Sequence, residues 1–203
     1  TTMKGTLTTL TALAFWTFAS LTAFAQDEKY GDTEEQQIAC KEGLSVYKSY
    51  KKQKNYDEAY IQWRKACEVC PETASEGLYA DGTSFIGKEL KKVDAEDPRH
   101  AMLVDSLMYL HDKRMELFPS TKRNPNNRCE VLGRKAADFY KYNKDEHQQA
   151  YEMFKESIDC LQGESSATTL YQYYTASFYT MKRTLKGDEA AQTAMRAQRL
   201  TDY

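Results

Sequence analysis

A chain of 203 residues, 41% hydrophobic and 29% charged, has room for one or two domains and the composition of a folding globular protein. Lys plus Arg is 28 and Asp plus Glu is 30, so the net charge of −2 offers no electrostatic footprint for nucleic acid. Nine Gly and four Pro supply few turns, which disfavours a many-stranded barrel or sandwich.

Thr1 and Thr2 precede Met3, so the natural start is expected at Met3. Lys4 is followed by an uncharged stretch over 5–26 that carries Leu10, Leu13, Phe15, Trp16, Phe18 and Leu21, and Ala23-Phe24-Ala25 gives a small-x-small cleavage site before Gln26. This pattern predicts a secretory signal peptide over 1–25. Interspersed threonines dilute its apolar core and argue against a permanent span. No cysteine adjoins the cleavage point, so no lipid anchor is expected there. No later segment reads as a membrane helix, which predicts a mature protein in the periplasm or cell envelope, or outside the cell.

Residues 26–33 are polar and read as a flexible leader. Beyond them Cys40, Leu44, Tyr47 and Tyr50 recur at helical steps. A polar break over 51–55 precedes a second helix with Tyr56, Ala59, Tyr60, Trp63, Ala66, Cys67 and Cys70 on one stripe, stopped by Pro71. A less regular helix over 74–93 carries Leu78, Phe85, Ile86 and Leu90. Asp97-Pro98 opens the next helix, with Met102, Leu103, Leu107, Leu110, Met115 and Phe118, and Pro119 ends it. The run 120–128 (STKRNPNNR) is the clearest loop, solvated or an electrostatic contact. Helices follow at about 129–142, 146–161, 165–184 and 189–203, broken by Gln162-Gly163 and Lys186-Gly187-Asp188. The predicted fold is all-α: one domain over 34–203, made of antiparallel hairpins at about 36–71, 74–119, 128–162 and 165–203. Stacked hairpins form a solenoid whose concave face is the usual binding surface.

Two hairpins share a motif. Tyr50, Tyr56, Ala59-x3-Trp63-x2-Ala66 and Pro71 resemble the tetratricopeptide signature, and Tyr142 with Ala150-x3-Phe154-x2-Ser157 resembles it again. Ala59 and Ala150 fall where two helices cross closely, and Trp63 and Phe154 fill the groove one turn on. The small residue expected near the middle of the first helix is replaced by Tyr47. The hairpin over 74–119 lacks the motif, and the hairpin starts are not 34 residues apart. The chain is also similar to the N-terminal part of exported bacterial tetratricopeptide-repeat proteins, through YGDTEEQQ…C (30–40), VDSLMYLHDKRMELFP (104–119) and VLGRKAADFYKY (131–142). The resemblance implies a right-handed solenoid without assigned catalysis, and longer relatives. The chain ends at Tyr203 inside an apparent helix without a capping signal, so a fragment is expected.

Five cysteines follow the signal segment: Cys40, Cys67, Cys70, Cys129 and Cys160. An exported protein oxidises such residues. Cys40 and Cys70 are level across a hairpin that turns near residue 54, and Cys129 and Cys160 are level across one that turns near 144. The expected staples are Cys40–Cys70 and Cys129–Cys160, with Cys67 a buried thiol. The rival pairing is Cys40–Cys67, leaving Cys70 free. The Cys67-Glu68-Val69-Cys70-Pro71 string sits at a helix end, where the dipole raises a thiol pKa, so it fits a thioredoxin-like site poorly. It has no second ligand pair for zinc and no His for haem attachment.

His100, His111 and His147 form no metal motif; His111 reads as packing and His147 as solvated. Asp81, Asp105 and Asp159 form no pair, and no phosphate loop or nucleophile elbow is present. No enzyme activity and no cofactor are expected. Tyrosine is common, at 15 of 203. Tyr140 and Tyr142, and Tyr171, Tyr173 and Tyr174, crowd their helices so that some must face outward as candidate partner contacts, or else pack between repeats. The leading expectation is an exported scaffold for a protein or peptide partner. A carbohydrate- or envelope-polymer-binding module using exposed Tyr and Trp as stacking platforms is a second, although Trp63 reads as packed. A thiol oxidoreductase using Cys67 and Cys70 is a third.

Overall fold

Helix-start residues sit where the helices begin. The computed structural model describes residues 28–202, and the predicted signal peptide over 1–25 lies outside the described residues. All regular structure among the described residues is helical. The chain divides into two compact units between Ser75 and Glu76, where the sequence reading carries a single domain from 34 to 203. Just before that division Pro71 interrupts the helical chain, and the Cys40–Cys70 bond closes the first hairpin on itself.

The first unit is one hairpin, α1 (Glu34–Lys52) and α2 (Tyr56–Val69). Thr33 caps α1 by accepting from the Gln36 N–H at 3.2 Å, and Gln36 reaches back to accept from the Asp32 N–H at 3.0 Å. Gly31 makes this return possible: its φ is +146°, and a Cβ there would lie 2.5 Å from Gln36 Cγ. Asn55 caps α2 through the Glu58 N–H. Cys40, Leu44 and Tyr47 face Ala59, Trp63 and Ala66 in the core. The close crossing is at Gly43, where a Cβ would stand 3.3 Å from Ala66 Cα. The small residue therefore lies one turn before Tyr47, which is itself wholly buried.

The second unit runs through α3 (Glu76–Glu89), α4 (Pro98–Leu117), α5 (Asn127–Tyr142), α6 (His147–Leu161), α7 (Ala167–Tyr179) and α8 (Glu189–Thr201). Asp97 caps α4 by accepting from the Arg99 N–H at 2.8 Å, with Pro98 in the first turn. Ser166 and Asp188 cap α7 and α8 in the same way. From α3 to α7 each helix packs on the next, and α5 also touches α7. In α6 the buried residues Ala150, Phe154, Ser157, Ile158 and Leu161 recur at three and four residue steps. The core joins Ala136, Ala150, Phe154, Ile158, Tyr173 and Ala176. Met102, placed on the apolar stripe of α4 by its spacing, is instead 68% exposed. The α7 helix runs into a π-turn over Thr180–Thr184, in which Leu185 N–H donates to Thr180 O. No helix among the described residues is long and apolar enough to cross a membrane.

Candidate functional site

The cysteine pairs follow from hairpin geometry. Cys40 is joined to Cys70 with Cα atoms 4.7 Å apart, and Cys129 to Cys160 at 5.8 Å. Each bond ties the open end of its hairpin, α1–α2 and α5–α6. Cys67 is the free cysteine and is exposed, not buried as its place beside Ala66 suggests. The seam of a two-helix hairpin is narrow: Ala59, Trp63 and Ala66 fill it, and Cys67 lies about 100° further round the helix. Partial desolvation, and then the neighbouring Glu68 carboxylate, push its thiol up to about 11.

The motif residues lie in the packing seams. Ala59, Ala66, Ala150, Phe154 and Ser157 are fully buried and Trp63 nearly so, whereas Tyr50, Pro71 and Tyr142 are half-buried. Ser157 sits at the tightest approach of α5 and α6. Its hydroxyl donates to Cys129 O at 2.8 Å, and a Cβ on Gly133 would come within 2.8 Å of Ser157 Oγ.

The candidate contact tyrosines separate. Tyr171 is 72% exposed, with Phe178 two turns on at 49%. Tyr140 and Tyr174 are half-buried. Tyr173 is wholly buried, so as a contact residue it is corrected to a core one: it stacks on Tyr151 and its hydroxyl donates to Asp202 Oδ2. Burial first, then the Asp202 bond, raise its phenol far above the ordinary value.

His147 is also buried rather than solvated. Its ring stacks on Tyr179 at 5.1 Å and meets Tyr140 edge-on at 5.6 Å. Arg183 can only donate, so its Nη1, 3.1 Å away, makes His147 Nε2 the acceptor and the ring neutral. Burial and the Arg183 charge hold His147 below the usual imidazole value, with Asp145 opposing. His111 is buried as well, its Nε2 2.8 Å from Asp138 Oδ2 across α4 and α5.

The most distinctive polar feature of the second unit is a cleft of about 420 Å³ beside the 119–126 loop. Its floor is a part-buried ion pair. Glu76 Oε1 accepts from Arg114 Nε at 3.0 Å, Arg114 Nη2 at 2.8 Å and Asn127 Nδ2 at 2.9 Å, which ties α3, α4 and α5 together. Its lip is a pinched turn. Thr121 and Asn124 exchange backbone hydrogen bonds of 2.9 and 3.2 Å, so Lys122 and Arg123 occupy the two central positions. Asn127 Nδ2 to Phe118 O at 2.7 Å, Arg128 N–H to Pro119 O at 2.9 Å and Asn126 Nδ2 to Glu164 Oε2 at 3.2 Å brace the loop. Arg134, on the cleft wall, pairs with Glu130 at 3.3 Å. Among the described residues Lys122 and Arg123 have no acidic partner. Reading the loop as solvated or as a contact could not distinguish these outcomes, because the pinch and the floor depend on residues far away in sequence.

No family model matches this chain and no curated protein matches it, so its relationships rest on its own hairpins, cystines and cleft.

Proposed function

We propose that this protein is an exported tetratricopeptide-like scaffold that holds a protein or peptide partner in the cell envelope, without catalysis of its own. One observation carries the reading: two separate hairpins bury the same small-aromatic-small motif at the helix crossing, Ala59/Trp63/Ala66 and Ala150/Phe154/Ser157, and each is closed by a cystine at its open end. The contact of α5 with α7 adds to it, since repeat helices pack on the next repeat as well as within their own. The cystines favour an oxidising compartment. Two features weigh against the rival functions. Trp63 is packed and offers no face for a sugar ring. Cys70 is committed to Cys40, and Cys67 has its thiol raised, the reverse of what an attacking thiolate needs. The test is affinity capture from an envelope fraction, followed by mass spectrometry and repeated with the purified candidate. A saturable one-to-one protein complex is expected. Retention on envelope polymer with no protein partner would replace the scaffold with the glycan-binding reading.

A further inference from the structure

The geometry points to the cleft beside the 119–126 loop as a binding site for an acidic peptide segment, with carboxylates set against Lys122 and Arg123. The inference rests on the scaffold reading and names the class of ligand. Of the four cations around the cleft, two are already neutralised inside it: Arg114 by Glu76 and Arg134 by Glu130. The surplus is Lys122 and Arg123, both exposed and without an ion-pair partner among the described residues. Neither charge is swept about on a loose loop. The reciprocal Thr121–Asn124 bonds fix the turn, and Asn127, Arg128 and Asn126 pin its two ends. The backbone that carries the two cations is therefore set before binding, and only their side chains have to be ordered.

The charge arithmetic selects the ligand. A phosphate brings about two charges to one point, close to the Glu76 and Glu130 carboxylates that also line the cleft. Carboxylates spread along a chain can each meet one cation and stay clear of both. Side chains two apart on an extended segment share one face, roughly 7 Å apart, so two carboxylates of one segment can face the turn together. The half-buried Thr121 and Asn124 add polar groups for the backbone of such a segment.

The test uses the full oxidised chain and a labelled peptide of nine residues carrying four Asp or Glu, read by fluorescence anisotropy. The amide version, with Asn and Gln, is the control peptide. Exposed pairs contribute modestly, so Lys122→Ala and Arg123→Ala should each weaken binding about three- to fivefold and the double variant about tenfold. Lys182→Ala, in the π-turn after α7, should change nothing. Raising the salt from 0.05 to 0.3 M should weaken binding severalfold. Saturable binding of the acidic peptide alone, lost in the double variant, sustains the proposal. Equal binding of the amide peptide, or a double variant as tight as the parent, overturns it. So does inorganic pyrophosphate displacing the peptide at concentrations below the peptide's own Kd, which would assign the cleft to phosphate. A partner captured equally by the parent and the double variant would keep the scaffold and remove the cleft from it. Saturable peptide binding with no captured partner would do the reverse.

Discussion

Lys54 and Gln162 hold backbone angles that suit glycine, with φ at 61° and 47°. Lys54 closes the α1–α2 turn, and Gln162 ends α6 at ψ −144°, a region that side chains seldom occupy. Gln162-Gly163 reads as a stop in the sequence, but the strained angle falls on the glutamine. Lys54→Gly and Gln162→Gly are each expected to stabilise the chain by about 0.5–1 kcal/mol in urea denaturation. Gly133→Ala has the opposite sign. Its Cβ would press on the buried Ser157 hydroxyl and cost roughly 1–3 kcal/mol. Ser157→Ala should recover much of that cost, so a double-mutant cycle would reveal coupling. His147 gives a pH signature. Its imidazole is held below the unfolded value, so the unfolded chain binds the proton more readily. The stabilising term is complete above about pH 6.5 and fades as pH falls through the lower, folded value. Urea midpoints at pH 7.5 and 5.5 should converge for His147→Gln relative to the parent.

At the scale of elements, two hairpins are each stapled at the open end. Their cystines close sequence separations of 30 and 31 residues. The chain-entropy argument gives each roughly 3–4 kcal/mol. Replacing both partners of one pair by serine should lower denaturation stability by about 3 kcal/mol, and alkylation of the unreduced, denatured protein should label one thiol. Five labelled thiols would remove both staples. The helices themselves were legible because helical periodicity and caps are local. Ser166, Asp97 and Asp188 begin helices where sequence alone would start them. The crossing partner of α2 was not legible. Gly43 and Tyr47 lie on the same face of α1, and only the way α2 lies against it selects the glycine.

At the scale of the whole chain, the division after Ser75 separates the Cys40–Cys70 staple from the Cys129–Cys160 staple. Each unit has its own core, so each can open at its own free energy. Removing Cys40 and Cys70 together should raise amide exchange across 34–69 while protection over 127–161 is retained. Equal loss in both segments would mean that the chain opens as one cooperative body.

Helix positions and the level cysteine pairs were determined by the sequence itself, because each depends on residue spacing along a helix of known pitch. Burial at single positions was decided by tertiary structure. Cys67 and Met102 stayed outside because the contact seam between neighbouring helices is narrower than the apolar stripe in the sequence, and Tyr173 and His147 went inward because Tyr151, Asp202, Tyr179 and Arg183 close over them. The cleft belongs to the same class. Glu76, Arg114 and Asn127 are separated by 13 to 51 residues, and only the packing of α3, α4 and α5 brings their charges and hydrogen-bonding groups together.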